Sequence, residues 1–233
     1  MNLQDNVLIR KSAIGADDLE FLVTFLRHAQ MTDSLVSHFD EDADSVEWVV
    51  NKKVRDTQEV VLTDAALERA NSVIDNGARS LINPYFDVIV RDWERLQILH
   101  YGACGHYIPH VDAESLLTDE LGLKVWEKTL DRDLSIVYFL NDDYEGGELA
   151  FPDFNLTVKP EAGTLVCFPS DHNYVHGVRP VTTGHRYTLV TWMRVEGTPT
   201  MDELNERTRD EYNRTRPRQI DQWPRVRKGG IDK

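Results

Sequence analysis

Along the first third of the chain, apolar residues recur with helical spacing. Over residues 17–29, Leu19, Leu22, Val23, Phe25 and Leu26 share one side of a 3.6-residue repeat, behind Asp17 and Asp18 as caps. A second stripe, Ala66, Leu67, Ala70, Val73, Ile74, Ala78 and Leu81, follows the capping pair Thr63 and Asp64 and is expected to stop at Pro84. The stretch between them, residues 34–59, is acidic and then valine-rich, and reads as a loop with one or two strands. After Asp92 the texture changes to short apolar runs at 96–101, 134–140, 148–151, 156–158, 164–168, 175–178 and 187–195. Turn residues punctuate them at Gly146-Gly147, 160–163 and 182–184, the pattern of a sandwich or barrel. Residues 113–132 stand out as a long polar connection with helical patches, a length that compact domains reserve for lids and binding loops.

Composition narrows the function classes. At 233 residues and 41% hydrophobic content, one large domain is expected. It divides into N-terminal helices and supporting strands over 1–90, a β core over 91–197, and a C-terminal helix with a basic tail over 198–233. A net charge of −14 argues against nucleic acid, because a surface that tracks phosphates needs clustered Lys and Arg. The basic run of Arg214, Arg216, Arg218, Arg225, Arg227 and Lys228 is the local exception, and reads as a solvated extension. No apolar stretch reaches the roughly 18 residues of a membrane span or resembles a signal peptide, so no membrane association and a cytoplasmic location are expected. Two cysteines are too few for a disulfide scaffold, and Cys167 reads as a buried small hydrophobe. The oligomeric state is left open.

The candidate chemistry is metal-based. A non-haem iron(II) oxygenase needs two histidines and a carboxylate on one face of the metal. A His-x-Asp pair on a strand supplies two of these, since residues i and i+2 project to one side. With 8 histidines, short motifs of this kind arise by chance, and the chain holds two. His38-Phe39-Asp40 lies in an acidic stretch with no strand pattern around it. His110-Val111-Asp112 follows the strand-like run Leu-Gln-Ile-Leu-His-Tyr and precedes the polar connection, which is the setting of a site at a strand end. Downstream, His172, His176 and His185 compete for the third position. His176 is preferred because Val175, Val178 and Val181 flank it as strand and Arg186 lies ten residues on. His172 and His185 then read as turn or rim residues, while His100 and His106 are available for hydrogen bonds around the mouth.

Four segments, LQILHYGACGHYIPHVD, SIVYFLNDDYEGGELAFPDF, VKPEAGTLVCFP and HGVRPVTTGHRYTLVTWMR, occur in an order and spacing that resemble the prolyl 4-hydroxylase branch of the Fe(II)/2-oxoglutarate-dependent dioxygenases. The resemblance covers a little under half the chain. It implies a mainly β fold with flanking helices, around a double-stranded β-helix (a cupin-like jelly roll) whose open mouth holds the metal. It implies Fe(II), 2-oxoglutarate and O2, with ascorbate as a further candidate. His110, Asp112 and His176 match the metal ligands, and Arg186 matches the cation that takes the distal carboxylate of 2-oxoglutarate, as a catalytic and cosubstrate-binding residue. Many prolyl hydroxylases carry lysine there. Tyr101 matches a tyrosine at the same carboxylate. Tyr107, Arg132 and Trp192 match groups around the target proline, and aromatic walls suit an apolar ring. One departure is Leu149, where the family's Gly-Gly-Glu-Thr carries a threonine that often contacts the cosubstrate.

The implied activity is hydroxylation of a prolyl residue in a peptide or protein, coupled to decarboxylation of 2-oxoglutarate to succinate and CO2. Two alternatives stand beside it: hydroxylation of a free amino acid or other small molecule, and a non-catalytic jelly-roll module that binds metal or senses it.

Overall fold

The structure, a computed structural model, describes residues 3–40, 45–118, 122–159 and 161–205. Among these, two antiparallel sheets face one another. The larger runs Leu8–Arg10, Leu165–Pro169, Leu134–Phe139, Arg186–Val195, Gln97–Tyr101, Gln58–Val60, Met31–Asp33, with Val90–Trp93 also paired to Arg186–Val195. The smaller runs Leu156–Val158, Leu149–Phe151, His176–Val178, His106–His110, Arg55–Asp56. The two form the jelly roll that the short apolar runs and the resemblance imply. Strands from the first 60 residues extend both sheets.

The larger sheet is buried on both faces, which is why its strands read as continuous apolar runs rather than alternating ones. Leu165, Cys167, Ile136, Tyr138, Ile98 and Leu189 point outward against the helices Ala16–Leu26 and Asp64–Gly77, through Leu22, Leu26, Ala70, Val73 and Ile74. Val166, Phe168, Phe139, Leu99 and Tyr101 point inward and meet Leu149, Phe151 and Val178 of the smaller sheet. Cys167 is fully buried, as expected, and burial pushes its thiol pKa well up. Among the described residues no helix is long and apolar enough to cross a membrane.

Several local expectations need correction. Asp17 and Asp18 lie in the first turn of their helix rather than capping it; the N-cap is Gly15. Thr63 does cap its helix, accepting from the Ala66 N–H at 3.4 Å. Pro84 does not end the helical run. A π-helical turn, Ala78–Ile82, resets the register, and Pro84 falls at the start of Asn83–Phe86, where its missing N–H is not needed. Asp87, in the left-handed region at φ 55°, terminates it. The segment 34–59 is richer in strand than expected: Val36–Asp40 pairs with Ser45–Val49, and Arg55–Asp56 and Gln58–Val60 follow. His38-Phe39-Asp40 therefore does lie on a strand. The polar connection at 113–132 carries no helix among its described residues. It is a hairpin of Glu114–Thr118 on Lys124–Lys128, in which each strand holds only two adjacent apolar residues among polar ones and so carries no period-2 pattern. Of the C-terminal segment, Met201–Asn205 is helical, and the basic run lies outside the described residues.

Candidate active site

The smaller sheet places two imidazoles by strand pairing alone. His110 ends one strand, His176 begins its antiparallel neighbour, and the two are direct cross-strand partners, with ring centroids 4.4 Å apart. The backbones approach so closely here that a Cβ on Gly177 would come within 3.0 Å of Pro109 N and Tyr107 O, so only glycine fits beside His176. Asp112 lies two residues beyond the strand end rather than on the strand. Its Oδ1 is 3.4 Å from His110 Nε2 and its Oδ2 is 3.4 Å from His176 Nε2. One ligand atom from each of the three lies within 4.8 Å of the others.

The hydrogen bonds fix what those atoms are. His110 Nδ1 donates to the Ile108 carbonyl at 2.9 Å, and His176 Nδ1 donates to the Tyr174 carbonyl at 3.0 Å. In its neutral form each imidazole therefore turns an Nε2 lone pair toward the Asp112 carboxylate. Burial, the largest influence on His176, holds its pKa down at about 4, so it is neutral at pH 7. Burial alone would raise the Asp112 pKa, but attraction to His176 and His110 in their protonated forms, with the hydroxyl of Ser135, holds it well below the usual range. Two lone pairs facing an anion repel unless a cation lies between them. The donor set, two imidazoles and one carboxylate on one side, is the facial arrangement suited to Fe(II).

Ser135 Oγ donates to Asp112 Oδ2 at 2.7 Å and meets Ser170 Oγ at 2.8 Å. Ser135 is the one serine in the apolar strand Leu134–Phe139, a residue out of place in such a run unless it has a buried partner.

Arg186 supplies the second half of the site. It starts its strand opposite Tyr101, is 1% exposed, and its Cζ stands 4.4 Å above the Tyr101 ring and 5.1 Å from the Phe139 ring. Nη1 donates to Thr188 Oγ1 at 3.2 Å, while Nε has no hydrogen-bond partner, and no carboxylate pairs with the guanidinium among the described residues. Burial pushes the phenol of Tyr144 up to about 12 despite the nearby Arg186 charge. Gly147, at φ +64°, leaves room for the Arg186 stem, since a Cβ there would lie 2.9 Å from Cδ. A buried cation without an anion is costly, and a dicarboxylate with one end on the metal and the other on Arg186 would satisfy it. Iron(II) and 2-oxoglutarate therefore fit the residues present. Leu149, in place of the family's threonine, is buried in the cluster that contains Tyr101 and offers no hydroxyl.

Tyr107 and Trp192 both lie beside the site. Tyr107 stacks on His110 with centroids 3.7 Å apart, and burial raises its phenol to about 12. Arg132 lies 3.7 Å over the Trp192 ring, but its donors are engaged: Nε and Nη2 bond the two Glu94 oxygens at 2.7 Å each, and Nη1 bonds the Asp112 carbonyl at 3.1 Å. His185 is exposed, as a rim residue should be. His172 is not at the rim: it is buried and paired with Glu114. His100 bonds His185 at 2.9 Å and Gln58 at 3.2 Å, with burial lowering its pKa.

Residues 96–194 match the model of the 2OG-Fe(II) oxygenase superfamily. Prolyl 3-hydroxylase 2 of Rattus norvegicus is 30% identical over 109 residues, which are 43% of this chain; the chain spans 15% of the length of that relative. A prolyl-4-hydroxylase of Pseudomonas putida superposes with a TM-score of 0.55 at 21% identity, covering 82% of this chain and 94% of that one. A prolyl hydroxylase in complex with a hypoxia inducible factor oxygen degradation domain peptide fragment, from Trichoplax adhaerens, gives 0.53 at 16% identity, covering 88% of each. These two likenesses show the fold. The matched segment, the jelly roll and the His–Asp–His cluster agree with one another: residues 96–194 are similar to the 2OG-Fe(II) oxygenase superfamily, and the relatives and structures that the chain resembles here are prolyl hydroxylases.

Proposed function

We propose that this chain hydroxylates a prolyl residue of a peptide or protein. The observation that carries the reading is the pair of aromatic walls at the metal ligands: Tyr107 flat against His110, and Trp192 beneath the arginine that holds the Asp112 carbonyl. An apolar ring packs well against such aromatic faces, and a prolyl ring brings no amide hydrogen that needs a partner. Relatives named prolyl 3-hydroxylase and a solved prolyl hydroxylase with a bound peptide support the substrate class. So do two hairpins rooted beside the site, which expose Trp48 and Leu117 to an incoming chain.

His110, Asp112 and His176 would hold iron(II), and Arg186 with Tyr101 would take the distal carboxylate of 2-oxoglutarate. With O2, these supply the oxidation: the cosubstrate becomes succinate and CO2, and one oxygen atom enters a substrate C–H bond. The residues of the chain do the rest. The Ile108 and Tyr174 carbonyls orient the imidazoles, Ser135 orients the carboxylate, and the inward side chains of both sheets exclude water from the oxidising centre.

The test is anaerobic addition of iron(II) and 2-oxoglutarate, followed through the weak visible charge-transfer band, and then aerobic incubation with proline-containing peptides and free proline. A band in wild type, lost in His110→Ala and His176→Ala, followed by a one-oxygen mass gain on a peptide, is the expected result. Oxidation of free proline alone would move the substrate to small molecules. No band in folded, iron-loaded protein would leave a metal-binding module.

A further inference from the structure

Asp112 and His176 come from separate segments, and two buried connections tie those segments together. In the first, the Ala113 N–H donates to the Ser170 carbonyl at 3.1 Å, and Ser170 Oγ meets the serine that donates to Asp112. In the second, Glu114, two residues beyond Asp112, receives two bonds from His172, four residues before His176. Glu114 Oε2 accepts the His172 backbone N–H at 2.9 Å and also contacts His172 Nδ1. Both side chains are 2% exposed. Trp126, on the returning strand of the hairpin, lies flat on the His172 ring, with centroids 5.2 Å apart and planes 7° from parallel.

A buried carboxylate–imidazole pair is weak evidence of stabilisation, because both partners lose hydration and apolar replacements often serve the fold as well. Its location is the informative feature. The pair lies at the root of the hairpin and bridges the two segments that bear metal ligands. His172 Nε2 has no hydrogen-bond partner among the described residues, so the ring is held by Glu114 at one edge and by Trp126 on one face.

We infer that Glu114 and His172 are positioning residues: roofed by Trp126, they hold Asp112 against His176 and make retention of the metal depend on how the hairpin Glu114–Thr118/Lys124–Lys128 is seated. This rests on reading His110, Asp112 and His176 as the metal site. Groups that orient metal ligands from behind typically change affinity by about 10- to 100-fold when removed.

The test loads wild type, Glu114→Gln, His172→Gln, the double variant, Trp126→Ala and Trp126→Phe with Co(II). The visible spectrum of Co(II) reports its ligand arrangement. Release to a chelator is timed without substrate, and apo-protein melting is recorded alongside. Each single change except Trp126→Phe is expected to alter the spectrum and speed release by roughly 10- to 100-fold. The double variant should be no faster than either single, and apo melting, which falls wherever a buried partner or ring is removed, should not follow the order of the release rates. Release within about twofold of wild type, or a double variant that multiplies the two single effects, overturns the inference. Should the buried-pair variants fail to fold, the tryptophan variants decide: faster release with Ala than with Phe supports it, and equal release overturns it. Wild type that binds no Co(II) sinks the metal site and this inference together, whereas normal binding with unchanged release sinks the positioning role alone.

Discussion

Two arginines inside the same jelly roll, one deep and one at the mouth, are in opposite states. Arg132 stacks on Trp192 and is fully engaged by Glu94 and the Asp112 carbonyl. Arg186 stacks on Tyr101, is more deeply buried, and has a threonine hydroxyl but, among the described residues, no anion. The difference separates structure from reception. A guanidinium whose carboxylate is supplied by its own chain is a strut; one buried without an anion is waiting for a ligand.

That contrast breaks or sharpens under mutation. Each variant can be compared with Asp112→Ala, which removes one of three ligands and leaves two imidazoles without their anion. Its expected effect is the largest, a loss of at least about a thousandfold in 2-oxoglutarate turnover with metal stoichiometry near zero by elemental analysis. Arg186→Ala comes next: loss of a charge-assisted, bidentate contact should raise the apparent dissociation constant for 2-oxoglutarate by roughly 10- to 100-fold in calorimetric titration, with metal binding retained. Arg186→Lys should recover part of that loss, because the charge returns without the fork. Equal 2-oxoglutarate affinity in all three proteins would erase the distinction drawn here. Glu94→Gln should matter least. A half-exposed ion pair is worth about 1 kcal/mol or less, so melting should fall by roughly 2–4 °C, with 2-oxoglutarate affinity within about threefold of wild type. A hundredfold loss of 2-oxoglutarate affinity in Glu94→Gln would show that Arg132 is no mere strut.

How much of this was legible in the sequence depends on where each signal came from. Strands buried on both faces announced themselves as apolar runs, and the sandwich followed from their spacing. The strand His106–His110 did not: every position in it is partly exposed, it contains Pro109, and Ile108 is its one branched aliphatic residue. The hairpin after Asp112 was hidden for a related reason: its strands bury only Glu114, Val125 and Trp126, too few for an apolar run. His110, Asp112 and His176 could be picked out because ligand chemistry restricts residue type. That Arg186 has no anion, and that Glu114 meets His172 across 58 residues, are facts of three-dimensional packing, which no local pattern encodes. In the sequence His172 stands beside turn residues, the usual setting of a rim histidine, and nothing near it points to the distant Glu114.

The direct pairing of His110 with His176 also bears on the order of events during folding. Each imidazole is aimed by a carbonyl two residues back on its own chain, yet the two meet only when their strands have found the right register. A slip of one residue would turn one ring to the opposite face, so a misaligned barrel offers the metal only part of its nest. Metal capture therefore belongs to the last stage of assembly, after the long-range pairing that limits the rate of such topologies, and ion uptake during refolding becomes a clock for completed barrels.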